Sequence, residues 1–342
     1  MSRAERKRDH IAHAVAGSRK ETNGFEDVRF VHTSLPEIAF NDVDISTTIG
    51  GLHLSSPIVV NAMTGGGGEE TEKINRSLAR ACQMTGLPMA VGSQMAALKD
   101  TKERRTYEVV RETYPEGLLF ANLGSEAEPE QAKQAVDMIA ADALQIHLNP
   151  IQELVMPEGD RDFRGTVERL RAIKESVSVP LIVKEVGFGI SHETAGTLAS
   201  IGVEVIDTGG NGGTNFAAIE NVRRDEPLTF FESWGLSTAA SVIEARSGAN
   251  EADIIASGGI RNAEDVGKAV ALGANACGMA GRILEAVKSG GVDAAVESIN
   301  RMHGTLRYLM TAVGAKDLHE LQQAPLVVQG STHHWLSERG LR

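Results

Sequence analysis

The chain has 342 residues, two of them cysteine, and a formal net charge of −12 at neutral pH. This acidity argues against nucleic acid or an anionic membrane as the main partner, and two cysteines cannot build a disulfide framework. No apolar run approaches the roughly 18 residues of a membrane span, and no apolar signal segment follows the first residues, so we expect a cytoplasmic protein.

The N-terminal segment carries the opposite charge. Residues 1–20 hold six basic side chains and two acidic ones, and a basic segment on an acidic chain predicts a binding site for a small anion. A mitochondrial transit peptide is the alternative, although such peptides are poor in acidic residues.

Eight short apolar runs follow, each succeeded by a Gly-, Asn- or Ser-rich turn and an amphipathic stretch. Runs that are apolar almost throughout predict strands buried on both faces. The predicted strands are 57–62, 88–92, 118–123, 143–148, 180–185, 203–208, 253–258 and 275–280.

The stretches between these runs carry helix signals. Gly86 ends the first predicted helix, Pro129 takes the first position of another, and Ser191 caps a third. Asn262 followed three residues later by Asp265 resembles a capping box.

Alternating strands and helices imply parallel pairing through right-handed crossovers. Eight such units predict an α/β fold of the (β/α)8 TIM-barrel type, since an open dinucleotide-binding sheet would carry GxGxxG after its first strand. We expect a single domain in which an extension (1–55) precedes the barrel (57–290) and a C-terminal helical tail (291–342) follows.

The active site of such a barrel lies at the C-terminal ends of the strands. Five consecutive predicted strands end in polar side chains, and although a structural hydrogen bond could explain any one of them, it does not explain the set. These residues are Asn61 and Thr64, Ser93 and Gln94, Asn122, His147 with Asn149, Gln152 and Glu153, and Lys184.

Glycine-rich segments follow the last three strands, at 208–214, 257–261 and 279–282. Glycine lets the backbone approach a phosphate closely, and the loops after strands 7 and 8 form the usual phosphate site of these barrels. The segments therefore predict a phosphorylated cofactor, most often FMN.

Two charged residues have specific candidate roles. Lys184 is suited to stabilise negative charge at flavin N1 and O2, the alternative being a lysine paired with a carboxylate. Glu153 is a candidate Mg²⁺ ligand, since Mg²⁺ takes one or two carboxylates together with substrate phosphates. The alternative is that Glu153 is a solvated acid in a loop.

With these segments assembled, the chain resembles the type 2, FMN-dependent isopentenyl-diphosphate isomerases over nearly its whole length. The motifs that carry the resemblance are RKRDH (6–10), NAMTGGG (61–67), GSQ (92–94), ANLGSE (121–126), HLNPIQE (147–153), VKEVGFG (183–189), GGNGGTNF (209–216), FFESWG (230–235), SGGIR (257–261) and THHWL (332–336).

The resemblance implies residue roles. The implied FMN-binding residues are Ala62, Met63, Thr64, Ser93, Asn122, Lys184, Thr214, Gly258, Gly259, Ile260, Arg261, Ala280 and Gly281. The implied substrate-binding residues are Arg6 and Lys7 at the diphosphate, assisted by His10, and His147, Asn149 and Gln152, with Glu153 as the Mg²⁺ ligand. Some family members have Arg after the GSQ motif, whereas this chain has Met95, which removes one phosphate contact.

The resemblance also implies a reaction, the interconversion of isopentenyl and dimethylallyl diphosphates by a 1,3-proton shift in isoprenoid biosynthesis. It implies reduced FMN, NADPH as the reductant, Mg²⁺ and a homotetramer or homo-octamer. Our hypothesis is that reduced FMN near N5 exchanges the proton, that Gln152 orients or relays it, and that Lys184 holds charge at N1 and O2. His147 completes the predicted catalytic set.

Two further segments draw attention. The loop segment 211–234 is far longer than usual and holds Phe216, Phe230, Phe231 and Trp234, which predicts a lid over the isoprenoid tail or, alternatively, packing on the barrel rim. For the THHWL motif we expect structural packing or a subunit contact.

Three other functions are weighed. An FMN-barrel oxidase of 2-hydroxy acids needs a His–Arg arrangement late in the barrel, and no His lies between His192 and His303. An enzyme like IMP dehydrogenase needs a nucleophilic Cys after the sixth strand, where neither Cys82 nor Cys277 lies. A non-catalytic sensor of phosphorylated ligands remains compatible with the pattern.

Overall fold

The structure, a computed structural model, describes residues 22–62 and 64–341. Its first strands are β1 (Val28–Phe30) and the antiparallel hairpin of β2 (Thr47–Ile49) and β3 (Leu52–Leu54). The hairpin hydrogen-bonds to residues at the start of later strands, where Gly50 N donates to Asp253 and the Thr47 hydroxyl donates to the Asn275 carbonyl. It therefore closes the N-terminal end of the barrel.

Eight parallel strands form a closed barrel in which each pairs with the next along the chain and the last pairs with the first. They are β4 (Ile58–Val60), β5 (Met89–Ala90), β6 (Leu119–Gly124), β7 (Ala143–His147), β8 (Leu181–Lys184), β9 (Val205–Asp207), β10 (Asp253–Ser257) and β11 (Ala276–Met279). Seven of them lie within predicted runs and β6 extends one residue beyond its run, so the predicted TIM barrel is confirmed.

Helices surround the barrel. They are α1 (Glu69–Thr85), α2 (Met95–Lys99), α3 (Arg105–Thr113), α4 (Pro129–Met138), α5 (Pro150–Val155), α6 (Thr166–Ser176), α7 (His192–Ser200), α8 (Phe216–Asn221), α9 (Thr238–Gly248), α10 (Ala263–Ala271), α11 (Gly281–Val313), α12 (Leu318–Gln322) and α13 (Gly330–Glu338). Within the described ranges, no helix is both long and apolar enough to cross a membrane.

The predicted helix ends are found with one correction. Gly86 caps α1 with φ of 71°, Pro129 begins α4, and Ser191 accepts a hydrogen bond from the backbone of Thr194. Asn262 caps α10 by accepting from the Asp265 backbone, but the Asp265 carboxylate accepts from Arg261 N, so only half of the predicted capping box forms.

The interior of the barrel is filled at its lower end by one buried apolar residue from each strand. We call this set the lower layer; it comprises Val59, Ala90, Phe120, Ala143, Ile182, Val205, Ile255 and Ala276, and Ile49 and Leu54 of the hairpin pack beneath it. Large residues come from odd strands of the barrel and small ones from even strands, apart from Val205, as expected for interlocking layers. The other strand faces pack against the helices in a second, larger core.

The C-terminal tail returns to the barrel exterior. Helix α11 is interrupted at Gly290 and Gly291, and β12 (Leu326–Val328) pairs antiparallel with β1. On α13, Trp335 Nε1 donates to the buried Glu244 carboxylate at 2.8 Å. The THHWL motif thus has the structural packing role that was one of its two expected roles.

Candidate active site

A polar layer lies directly above the lower layer. Because side chains alternate along a strand, residues two positions further on face the same barrel interior. We call this set the upper layer; it comprises Asn61, Gly92, Asn122, Gln145, Lys184, Asp207, Ser257 and Gly278. Its six side chains are buried, and its glycines make room, since a Cβ on Gly278 would lie 2.5 Å from Asn61 Nδ2.

The upper layer is joined by a chain of hydrogen bonds that crosses the barrel. Asn61 Nδ2 donates to Asp207 Oδ2 at 2.6 Å, and Gln145 Nε2 donates to Asn61 Oδ1 at 3.1 Å. Asn122 Nδ2 donates to Gln145 Oε1 at 3.2 Å, and Asn122 Oδ1 lies 2.9 Å from His147 Nδ1. Side chains from four strands therefore form one connected network.

Lys184 lies in this layer without a carboxylate partner, since no salt bridge of Lys184 occurs within the described residues. Its Nζ donates to the backbone carbonyl of Glu185 at 2.6 Å. The alternative expectation of an ion-paired lysine is therefore not what the structure shows, and the ammonium remains suited to stabilise a bound anion.

Glu185 occupies an unusual position just beyond Lys184. Its buried carboxylate accepts three hydrogen bonds of 2.6–2.8 Å from the backbone N–H groups of Val186, Gly187 and Phe188. Burial raises the pKa of this carboxyl to about 7, against the opposing effect of those three donors. The side chain thus organises the loop that follows Lys184.

A second polar cluster lies where β7 passes into α5. Asn149 Nδ2 donates to Glu153 Oε1 at 2.9 Å and lies 3.4 Å from Gln152 Oε1, while Glu153 Oε2 accepts from Asp160 N at 2.9 Å. Gln152 Nε2 in turn lies 3.4 Å from a carboxylate oxygen of Glu220. Glu220 is fully buried and is paired with Arg223 at 2.6 Å. The structure therefore brings three predicted residues together and adds Glu220.

The glycine-rich loops after β9 and β10 touch backbone to backbone. A Cβ on Gly258 would lie 2.0 Å from the Gly210 carbonyl oxygen, and one on Gly259 would lie 2.2 Å from that of Gly212. Gly258 and Gly259 also have φ of 107° and 73°, which side chains disfavour. Glycine is therefore required here by the contact between the two loops, whereas the prediction attributed it to the approach of a phosphate.

The start of α11 completes this side of the barrel. Its N-terminal cap is Ala280, which contributes no side-chain hydrogen bond to the first turn. The first N–H groups of a helix have no acceptor within the helix and favour an anion. Since β10 and β11 are neighbours in the barrel, this helix start and the Gly258–Gly259 turn lie on adjacent strands.

Comparison with known proteins decides the family. A sequence profile described as FMN-dependent dehydrogenase matches residues 99–328. Isopentenyl-diphosphate delta-isomerases from Bacillus licheniformis and Bacillus cytotoxicus are 55% and 56% identical to the chain over 341 residues, which span 100% of the chain and 98% of each relative. The chain belongs to the type 2, FMN-dependent isopentenyl-diphosphate isomerase family. A relative from a Geobacillus species is 54% identical over 99% of the chain and 97% of its own length.

Solved structures of low sequence identity share the fold of this isomerase family member. A lactate oxidase from Pediococcus acidilactici matches with a TM-score of 0.72 and 16% identity, over 96% of this chain and 93% of that one. A flavocytochrome b2 variant matches with a TM-score of 0.70 and 19% identity, over 95% and 84%. At these identities the likeness shows the fold alone.

Thr64 and Ser93, two further residues that are expected to bind FMN, lie at the same end of the barrel. The buried hydroxyl of Thr64 donates to Asn75 Oδ1, and the carbonyl of Ser93 accepts from the Tyr107 hydroxyl at 2.5 Å. These contacts fix the loops after β4 and β5. Four predicted site residues lie outside the described residues, namely Arg6, Lys7, His10 and Met63.

The isomerase's long segment after β9 is ordered around a small apolar cluster. Phe231 packs against a cluster of Val155, Phe188 and Ala217, whereas Phe230 and Trp234 are 58% and 52% exposed. Part of the segment thus packs on the rim, as the alternative expectation had it, while two aromatic residues remain exposed. The lid itself stays a prediction.

The residues that the sequence reasoning missed are Gln145, Asp207 and Glu220. Gln145 and Asp207 could have been found by extending the inward-facing alternation to every strand, because each lies two residues after a lower-layer position. Glu220 gives no such signal, since it lies on α8 inside an irregular segment.

Proposed function

We propose that the chain interconverts isopentenyl and dimethylallyl diphosphates by a 1,3-proton shift at reduced FMN. Membership of the isomerase family supplies the reaction class. One structural observation supports the chemistry: the glycine loops, the upper layer and the Asn149–Gln152–Glu153 cluster all lie at the C-terminal ends of the same eight strands. A phosphorylated cofactor and a second anionic ligand would therefore meet at one mouth.

The residues present fit FMN. Gly258 and Gly259 hold two glycine-rich loops together at this end of the barrel, and the uncapped start of α11 on the adjacent strand offers N–H groups, as a phosphate site requires. Asn122 and Lys184 from the upper layer, with Ala62, Thr64, Ser93 and Thr214 from the surrounding loops, would complete the pocket. When bound in reduced form, FMN supplies the titratable N1 and N5 atoms and an electron-rich ring.

The chain's own groups hold charge and protons around that pocket. The Lys184 ammonium would stabilise negative charge at N1 and O2. Gln152 has its amide fixed from both sides, because the Glu220 carboxylate accepts from Nε2 and Asn149 donates toward Oε1. A fixed amide can orient a proton donor toward a carbon atom of the substrate, which is the role we assign to it.

The diphosphate would be held by Arg6 and Lys7, with His10 assisting, and by His147 and Asn149. We assign Mg²⁺ to Glu153. In the described ranges, no group of three or more His, Cys, Asp or Glu side chains could hold a metal ion alone. A single carboxylate beside a diphosphate still suits Mg²⁺, which shares its shell with substrate phosphates and water.

Four further features belong to the proposal. NADPH would reduce the flavin, and the enzyme would be cytoplasmic and would assemble as a homotetramer or homo-octamer. The chain would function as one domain, with the N-terminal extension contributing to the substrate site.

The deciding experiment is anaerobic incubation of the FMN-loaded protein with dithionite or NADPH, Mg²⁺ and isopentenyl diphosphate in D₂O. We expect deuterated dimethylallyl diphosphate, and the oxidised protein serves as the control. A Gln152→Asn variant should bind substrate but turn it over at least about tenfold more slowly. Full activity of a colourless protein without FMN would overturn the proposal, and full kcat in Gln152→Asn would remove Gln152 from the mechanism.

A further inference from the structure

The hydrogen-bond chain of the upper layer has a fixed direction. Asp207 is an acceptor at its far end, where it receives hydrogen bonds from Asn61 Nδ2 at 2.6 Å, from Gly209 N at 3.3 Å and from the Ser257 hydroxyl. It is also fully buried. A carboxylate has no hydrogen to donate and accepts all three of these bonds, so Asn61 must turn its NH₂ group toward Asp207.

A second contact confirms the orientation of the Asn61 amide. The backbone N–H of Ala62 donates to Asn61 Oδ1 at 2.8 Å, on the side away from Asp207. Because a backbone N–H cannot accept, the oxygen and nitrogen of Asn61 cannot exchange places. The polarity of the chain is therefore set at this end by two independent groups.

The remaining links transmit this polarity. Asn61 Oδ1 can only accept, so Gln145 must present Nε2 to it and Oε1 to Asn122. Asn122 must then present Nδ2 to Gln145 and Oδ1 to His147. The backbone of Asn122 is tethered as well, since its N–H donates to Gln94 Oε1 at 2.9 Å. Each side-chain amide in this hydrogen-bond chain therefore has one permitted orientation.

We propose that Gln145 is a positioning residue that fixes the tautomer of His147, with Asp207 and Asn61 as its anchor. Asn122 Oδ1 faces His147 Nδ1 at 2.9 Å and can only accept, so Nδ1 carries a hydrogen whether the ring is neutral or cationic. The ring atom that gains and loses the proton is then Nε2.

This assignment has a consequence for the substrate side. A neutral ring presents an acceptor at Nε2, and only the imidazolium presents a donor there, so a hydrogen bond from Nε2 to a diphosphate requires proton uptake by the ring. The consequence rests on the proposed function, because it takes His147 to face the substrate. The tautomer itself does not, since it is measured without turnover.

The experiment is nitrogen-15 NMR of the FMN-loaded holoenzyme labelled with ¹⁵N-histidine, with a His147→Gln variant to identify the His147 signals. We expect Nδ1 to be protonated at every pH, with only Nε2 titrating. In Gln145→Met the hydrogen bond to Asn61 is lost and the side-chain amide of Asn122 is free to rotate by 180°. An unprotonated Nδ1 should therefore appear in the spectrum, and kcat should fall about tenfold or more.

Two variants separate positioning from packing. Gln145→Glu still offers Asn122 an acceptor, and as the neutral acid it also donates to Asn61, so it should restore the protonated Nδ1. Ser257→Ala removes one donor to Asp207 but no link of the chain, and it should leave the tautomer unchanged. FMN absorbance and thermal melting report folding. A neutral ring with bare Nδ1 in the unmutated protein, or an unchanged tautomer in Gln145→Met, would overturn the proposal.

Discussion

The lower and upper layers of the barrel lie two residues apart on the same strands, yet they are built from opposite chemistry. The lower layer is apolar and sealed beneath by the β2–β3 hairpin, while the upper layer holds an acid, a lysine, three amides and a hydroxyl. Both layers are buried. The difference shows that burial inside a barrel does not require apolar residues, provided that the buried polar groups are hydrogen-bonded.

The two layers have different tasks. The lower layer stabilises the barrel because its apolar side chains interlock and are closely packed. Truncating one of these side chains should therefore reduce the stability of the fold. The upper layer gains less from burial, because each hydrogen bond mainly offsets the desolvation of its groups. Its polar composition suits the C-terminal end of the barrel, where the glycine-rich loops and the polar strand ends lie and where we propose that the ligands bind.

The largest expected effect is in the lower layer. Phe120→Ala removes its only aromatic side chain and should lower the free energy of unfolding by about 3–5 kcal/mol, measured by denaturant titration. The kcat of the folded, FMN-loaded fraction should change little. Phe120→Leu is the matched control and should cost less. If Phe120→Ala instead lowered kcat as strongly as an upper-layer variant, the division of tasks would be wrong.

A somewhat smaller effect, on chemistry instead of stability, is expected in the upper layer. Lys184→Met keeps the length of the side chain and removes its charge, and kcat should fall about 10²–10³-fold because the negative charge at the flavin loses its partner. The free energy of unfolding should not fall, since the ammonium that is removed is buried and has no carboxylate partner among the described residues. Lys133→Met on the exposed face of α4 is the control. Equal activities of the two variants would contradict the assignment.

The sequence predicted the strands and the polar residues at their ends, but not which side chains of the upper layer meet. Strands were predictable because their runs are apolar on both faces, and Asn61, Asn122 and Lys184 because they end those runs. Gln145 lies inside an apolar run, where only the inward-facing alternation marks it, and its partners Asn61 and Asn122 lie 84 and 23 positions away in the chain. Which amides meet across a barrel depends on strand register and closure, which no local pattern encodes.

The smallest expected effect concerns Glu185, a buried acid directly after the strand that carries Lys184. Its carboxylate accepts hydrogen bonds from its own loop and not from the network. Burial raises its pKa to about 7 from 4.5, so between those values the native state binds a proton that the unfolded chain has released. Glu185 should therefore make stability decrease as pH rises from about 4.5 to about 7, by roughly 1–3 kcal/mol. Glu185→Gln keeps an acceptor for the three N–H groups and should flatten that part of the stability profile. Glu204→Gln, on the rim of the same barrel, is the control and should leave the decrease in place. A profile that keeps its full slope in Glu185→Gln would mean that the three backbone donors outweigh burial and that Glu185 does not cause the decrease.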